Sequence, residues 1–284
     1  MMQSDVHVAV AKGLTARPRR SAGARLSSLW SQRRGLFVGS LGVILAVAIW
    51  ELVGTLGLVD PILLSPPSAV ARKFGDNFFR TGVIYPHVLA SAQEAALGFA
   101  LCIAIGVPLG ILMGRVRLMR EILDPFVMAL YSAPMVALLP LFILWLGVGI
   151  WSKVMIIFLG GVFSIAINTQ AGVESADRAL IEVARSFTAT RLQVLVKVVL
   201  PAAVPFIVAG IRLSIGRILI MVVVAEFYAS SRGLGFLIMQ AGATFDTAQV
   251  FVGVVILAGT SIGLSQLLRL LERRMAPWAH PGQE

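Results

Sequence analysis

The sequence predicts an all-α polytopic membrane protein with about six transmembrane helices. Hydrophobic residues make up 58% of its 284 positions and charged residues only 13%, against about 25% charged in a typical soluble domain. Apolar stretches approaching the ~20 residues needed to cross a bilayer recur along the chain. Lys and Arg are shared unevenly between the alternate connections that these stretches define, as membrane topology demands.

The elements follow in order. Residues 1–35 are polar and Arg-rich, with Lys12, Arg17, Arg19, Arg20, Arg25, Arg33 and Arg34. They read as a disordered basic cytoplasmic tail. The apolar run at 36–58 is longer than a signal-peptide core and reads as an uncleaved first span. Residues 59–87 form an outer connection containing Leu64-Ser65-Pro66-Pro67-Ser68, with Ser68 placed to N-cap a short helix over 69–79. Further spans are expected at 88–113, 122–146, 154–168, 202–227 and 250–270. The fourth is short for a full crossing and borrows from 151–153. The third is broken by Pro134 and Pro140, which remove backbone donors, and Ser132 is placed to satisfy freed backbone groups. Interrupted helices of this kind line pathways in membrane proteins, and a packing kink is the competing reading. Spans five and six hold interior glycines that suit close packing. Residues 228–249 are a second outer loop with Gly233 and Gly235 as breakers, and 276–284 form a short cytoplasmic tail. Residues 36–275 thus make one transmembrane domain.

Six spans place both termini on one side. Seventeen Lys and Arg fall in the tail, in 115–120, in 171–200 and at the C-terminal end. Five, namely Arg72, Lys73, Arg80, Lys153 and Arg232, fall in the opposite connections, and Arg212 and Arg217 lie within span five. This excess predicts cytoplasmic termini and makes 171–200 the longest inside loop. The net charge of +10 is then a matter of topology, not of nucleic-acid binding. Cys102 is the single cysteine, so no intrachain disulfide forms, and in its apolar run it behaves as a small hydrophobe.

The chemistry missing from the chain is informative. No G-x-x-x-x-G-K-[ST] loop is present, so the chain is not expected to bind and hydrolyse ATP. His7, His87 and His280 are scattered, which gives no clustered metal site. Glu94 and Glu226 are acids within spans two and five, without an evident catalytic partner. No cofactor is expected on this chain, and it does not read as an enzyme.

The inside loop carries the strongest signal. From Asp177 to Lys197 the sequence is helix-capable, with Ile181, Ala184, Phe187 and Leu192 apolar at roughly helical spacing among Glu182, Arg185, Arg191 and Gln193. Pro201 either separates this stretch from span five or sits in the first turn of that span. Periodicity alone leaves open a helix lying on the headgroups and a helix that docks a soluble partner. The segment Glu182-Val183-Ala184-Arg185-Ser186-Phe187-Thr188, nine residues, then Val198-Val199-Leu200-Pro201, resembles the E-A-A-x-x-x-G-x(9)-I-x-L-P signature of permease subunits of ATP-binding-cassette importers. Thr188 stands where the family has Gly, where Thr carries a steric cost if φ is positive, although its hydroxyl can form a capping bond. The resemblance extends over about 60–275. It includes Leu64 to Ser68, Gly106-Val107-Pro108-Leu109-Gly110, Pro134 with Leu139-Pro140-Leu141 and Trp145-Leu146-Gly147, and Glu226 with Ser231 to Gly235. These segments look like the nitrate/sulfonate/taurine branch.

That resemblance implies a type I importer permease fold in a bacterial inner membrane. It implies two copies of the permease, two ATP-binding subunits carrying ATP and Mg²⁺, and a periplasmic or lipid-anchored substrate-binding protein. Glu182, Val183, Ala184, Arg185, Thr188, Leu200 and Pro201 would form the docking segment, with Glu182 pairing a base on the ATP-binding subunit and Ala184 permitting close approach. A small anion such as an aliphatic sulfonate, taurine or nitrate is the expected cargo, with a pyrimidine or aromatic precursor as the alternative. An ion-coupled secondary transporter and a membrane enzyme are the rivals from other classes.

Charges within the spans and the interruption of the third span mark candidate pathway residues: Glu94, Ser132, Pro134, Arg212, Arg217 and Glu226. Arg212 and Arg217 are five apart, about 140° around a helix, so they do not share one face. One of them pairs structurally with Glu94, or snorkels to the inner interface, or lines the pathway and attracts an anion, with Arg217 the deeper of the two. Glu226, near the outer end, would shape a gate or meet the binding protein.

Overall fold

A computed structural model describes residues 22–275, with side chains over 38–270. Every regular element among the described residues is helical. Two compact units divide after Leu58. The first unit holds helix α1, Ala22–Thr55. The expected disordered tail is thereby corrected for 22–35, which are helical, while residues 1–21 and 276–284 lie outside the described residues. Ala, Leu, Arg and Gln between 22 and 35 are good helix formers, and extending a helix that the apolar run has already nucleated costs little.

The second unit opens with α2, Pro67–Gly75, and a π-helical turn over Asp76–Arg80. Pro67 occupies the first helical position, where no N–H is required, so Ser68 lies inside the helix and not at the expected N-cap. The α2 region is clipped to the start of the last helix by Lys73–Asp246 at 2.6 Å and by the buried bond from Asn77 Nδ2 to Gln249 Oε1 at 2.6 Å.

Helix α3 (Ile84–Arg115) leads to α4 (Arg117–Ser132), a 3₁₀ turn (Met135–Leu138) and α5 (Leu139–Leu146). Helix α6 (Ile150–Glu174) follows, then the short α7 (Arg178–Ser186) and α8 (Arg191–Val194). A second π-helical turn (Leu195–Val199) enters α9 (Leu200–Ala229), and α10 (Leu234–Ala243) and α11 (Thr247–Met275) complete the chain.

Helix α6 is the centre: fifteen of its 25 residues are buried. Small residues on α3 recur every fourth position, Gly98, Cys102, Gly106, Gly110 and Gly114, and face it. A Cβ at Gly98 would stand 2.3 Å from Ile157 Cγ2, at Gly110 2.4 Å from the Ala166 carbonyl, and at Gly114 2.6 Å from Val173 Cβ. Such small-residue seams let membrane helices pack backbone to backbone. Glycines on spans five and six also pack closely, Gly210 against Asn168 and Gly253 against Ile238, while Gly216, Gly259 and Gly263 have open space around them.

The order of these contacts fixes topology. Contacts of α3 advance along α6 in the same direction, so the two helices run parallel. Gly161 against Ile218, Gly210 against Asn168 and Gly172 against Ala203 run in opposite order, so α6 and α9 are antiparallel. Parallel α3 and α6 require the chain between them to return across the membrane, so α4 and α5 together are one traverse, bent by 92°. The bend is at Pro134. Ala133, just before it, is extended (φ −68°, ψ 144°), as the ring of a following proline dictates. Pro140 lies in the first turn of α5 and does not break it. Ser132 ends α4 exposed. The break is closed by backbone bonds, Ala133 N–H to Leu130 O (3.3 Å) and Ala137 N–H to Pro134 O (2.9 Å), not by the serine hydroxyl.

Candidate functional site

The helix ends that meet at the Arg-rich end of the bundle hold the α7–α8 segment. Arg120 pairs with Glu174 at 2.9 Å, and Arg115 Nη2 donates to the Arg191 carbonyl at 3.2 Å. Asp177 caps α7 by accepting from Ala179 N–H at 2.8 Å. The stretch expected as a single small helix is instead two helices around a tight turn. Thr188 has φ 59°. The Ala189 amide bonds back to the Ala184 carbonyl at 3.1 Å and the Thr188 amide to the Arg185 carbonyl at 2.8 Å. This is a Schellman motif with threonine at the position that favours glycine. A left-handed non-glycine residue costs roughly 1–2 kcal/mol. The Thr188 hydroxyl bonds the Phe187 carbonyl at 2.7 Å. A capping box between Thr190 and Gln193 then starts α8.

Two stripes of α7 point in different directions. Ile181 and Ala184 pack with Ala189 against the cluster of Val173, Val194, Val199 and Ala203. The close approach expected of Ala184 is therefore toward the chain's own bundle. Leu180, Val183 and Phe187 follow helical spacing on a neighbouring face and are exposed, Phe187 at 82%. Glu182 and Arg185 are exposed beside them. Leu200 and Pro201 form the first turn of α9, and the Leu200 amide bonds to the Leu195 carbonyl across the π turn. This resolves the placement of Pro201 in favour of the first turn.

At the opposite end lies a buried polar cluster. Lys153, counted with the outer loops from sequence, is only 6% exposed and pairs with Glu94, itself 3% exposed. Lys153 Nζ also donates to Ser230 Oγ at 3.0 Å. The expected partnership of Glu94 with Arg212 or Arg217 is thereby corrected: its partner is a lysine on α6. Glu226 is fully buried and accepts from Ser91 Oγ at 2.5 Å and from the Gly235 amide at 2.6 Å. Ser91 accepts in turn from the Leu234 amide at 2.8 Å. Gly233, at φ 134°, comes so close that a Cβ would stand 2.3 Å from Glu226 Cδ. Glu226 is thus the post around which the Ser231-to-Gly235 turn is wrapped. His87, missed from sequence, supports the same turn through a 3.1 Å contact between the Gly233 amide and Nδ1.

The third feature is a cavity of about 280 Å³ at the break between α4 and α5, lined by Tyr131, Pro134, Phe163, Arg217 and neighbouring apolar residues. The Arg217 guanidinium carbon lies 4.0 Å from the Tyr131 ring centroid, a cation–π distance. Arg217 is exposed on α9, whereas Arg212 is half-buried. It is the eighteenth residue of this thirty-residue helix, about 25 Å from its start. An arginine there costs about 2.5–3.5 kcal/mol or more against lipid tails.

The comparisons fit this architecture. Residues 106–277 match the model of the binding-protein-dependent transport system inner membrane component, and the chain belongs to that family. It is therefore a membrane-spanning permease subunit of ATP-binding-cassette transport, and ATP hydrolysis lies on separate subunits. Membership sets aside the secondary transporter and the membrane enzyme. The chain is 36% identical over 260 residues to the taurine transport system permease protein TauC of Escherichia coli (strain K12), covering 89% of this chain and 94% of that one. It is 38% identical over 261 residues to SsuC of Bacillus subtilis (strain 168), a permease named for aliphatic sulfonate transport, covering 92% and 94%. A bacterial alginate ABC transporter, solved in complex with an alginate-bound periplasmic protein, shares the fold with a TM-score of 0.57 at 16% identity, covering 87% of this chain and 98% of that one.

Proposed function

We propose that this chain forms, with a second identical copy, the translocation pathway of an importer for small sulfonate-type anions, taurine and aliphatic sulfonates first among them. Two ATP-binding subunits would hold ATP and Mg²⁺ and seat on α7 and α8, and a periplasmic or lipid-anchored protein would deliver the cargo. The observation that carries this reading is the outward stripe of Leu180, Val183 and Phe187 flanked by Glu182 and Arg185. It is a small amphipathic surface projecting from a membrane bundle, in a chain similar over about nine tenths of its length to two permeases named for taurine and sulfonate transport. Arg115, Arg117, Arg120, Arg178, Arg185, Arg191 and Lys197 all fall at that end of the bundle, which supports a cytoplasmic placement for it and for both termini. Of the charged candidates within the spans, Arg212 and Arg217 remain assigned to the pathway together with Ser132 and Pro134, while Glu94 and Glu226 serve the outer scaffold.

Closure of the ATP-binding pair would draw the two α7–α8 segments together, and the bundles would rock between states that bind the loaded partners differently. Native mass spectrometry of the complex, gently solubilised after co-expression with its neighbouring genes, tests the assembly, and uptake of labelled taurine and butanesulfonate by the reconstituted complex tests the cargo. Two copies of this chain with two ATP-binding subunits, and saturable uptake of either sulfonate, are expected. A second, different permease overturns the homodimer. Lack of transport for both sulfonates overturns the cargo.

A further inference from the structure

We infer that the cavity at the break of the third span is a transient binding site for the sulfonate head of an alkyl-tailed cargo, with Arg217 as its anion-binding residue, and that it favours alkylsulfonates over zwitterionic taurine, which narrows the pair of cargoes proposed above to the alkyl one. The inference rests on the importer reading above and adds a site and a specificity to it.

Among the described residues Arg217 has no countercharge: no carboxylate lies within ion-pair distance of it, and the two acids of the outer half of the bundle are already engaged, Glu94 by Lys153 and Glu226 by Ser91 and the Gly235 amide. Its contact is the face of Tyr131, which attracts the charge of the guanidinium but accepts none of its in-plane N–H bonds. Five donors in a planar fork are therefore open to an oxyanion, and a sulfonate presents its charge on three oxygens suited to bidentate bonding. Near the middle of a span a guanidinium is costly against lipid tails, which favours a cavity or a polar partner as its counterpart.

The remaining wall supplies the specificity. Pro134, Met135, Phe163 and Met221 surround the cavity, and the lining contains no acid. An alkyl tail is received by this wall on burial of its apolar surface. The ammonium group of taurine would lose its water with no acceptor charge in exchange, which is unfavourable. Discrimination between the two cargoes is then built from a missing partner as much as from a present one. Tyr131 is a positioning residue: its ring holds the guanidinium over the cavity and does not itself need to touch the sulfonate.

The test uses the complete complex of permease and ATP-binding subunits in nanodiscs, without binding protein, so that only the permease reads the cargo. Binding of radiolabelled butane-1-sulfonate is measured by scintillation proximity, with taurine as competitor. The expected result is saturable binding, displaced by taurine at least tenfold more weakly than by unlabelled butane-1-sulfonate. Arg217→Gln should weaken binding at least tenfold and Arg217→Lys less, because Lys keeps the charge and loses the fork. Tyr131→Phe should bind as the parent does, and Tyr131→Leu should bind more weakly. Assembly is checked by size exclusion. If Arg217→Gln does not assemble, Arg217→Lys and Tyr131→Leu carry the comparison. Equal affinity for taurine, unchanged binding in the assembled Arg217 variants, or no binding to a parent complex that transports butanesulfonate would each overturn the site. A complex that transports neither sulfonate would instead strike the importer's assigned cargo.

Discussion

Removing Lys153 alone should be far more harmful than removing Lys153 together with its partner. Glu94 and Lys153 are 3% and 6% exposed, and they join α3 to α6 at the end of the glycine seam opposite the Arg-rich end of the bundle. In Lys153→Met the Glu94 carboxylate stays buried without its cation, and the bond to Ser230 is lost as well. Breaking a buried ion pair by removing one partner costs about 3–5 kcal/mol, whereas replacing both with apolar residues of similar volume is close to neutral or stabilising. At roughly 2–4 °C per kcal/mol for a chain of this size, each of Glu94→Met and Lys153→Met should lower the melting temperature by about 6–20 °C. The Glu94→Met, Lys153→Met double variant should return to within about 4 °C of the parent by the same scaling. Fluorescence-detected size exclusion of heated samples in mild detergent reads all four proteins. Single variants that melt with the parent would show that the pair is not made in the membrane. A double variant as poor as the worse single would show that each side chain acts through something other than its partner.

Three further outcomes are expected. Gly110→Val places a side chain 2.4 Å from the Ala166 carbonyl, an overpacking that costs roughly 1–3 kcal/mol or more, so its membrane yield should fall severalfold, whereas Gly259→Ala, with open space around it, should match the parent. Thr188→Gly removes the left-handed strain of the Schellman turn and adds backbone freedom to the unfolded chain. The net gain of roughly 1 kcal/mol should slow exchange of the amides at positions 188 and 189 about fivefold, and faster exchange would contradict the turn. Glu182→Lys reverses the charge on an exposed position of α7 that makes no internal ion pair among the described residues. It should leave the melting temperature unchanged while uptake falls at least tenfold against a retained basal ATPase rate, and unchanged uptake would remove Glu182 from the docking contact.

The sequence made some of this legible and not the rest, for identifiable reasons. Span number, the broken third span and the projecting loop were readable because each follows from local chemistry: apolar length, a proline's geometry, mixed charge between two spans. The helix–turn–helix form of the loop was also written locally, in the Thr190-x-x-Gln193 capping box and in the threonine at the left-handed position, and the box went unread because apolar spacing continued across it. The Glu94–Lys153 pair was not readable, because it depends on register. Gly98 meets Ile157, an offset of 59, and carrying that offset back one turn sets residue 94 beside 153. No hydropathy pattern contains that number. A lysine three residues from the start of a span reads as loop until the parallel neighbour that neutralises it is known. The same ignorance made Arg212 or Arg217 look like the partner of Glu94.

The register also bears on how force would pass through the molecule. Glycine seams clamp α6 to α3 along most of its length and to α9 at Gly160, Gly161, Gly172 and Gly210. Interfaces packed at this density are bistable and do not deform continuously, so the three helices are expected to move as one block. The α7–α8 segment is inserted in the connection between two members of that block and is pinned to a third by Arg115. A displacement applied at Phe187 would then turn α3, α6 and α9 together. The bent traverse of α4 and α5 is different: its 92° break leaves two short arms, of which α5 is a helix of eight residues. Relative motion produced by such a displacement would therefore concentrate where the rigid block meets the broken span. Arg217 of the block and Tyr131 and Pro134 of the broken span meet at that junction, so a sulfonate held there would be gripped or released by the same rotation that moves the loop.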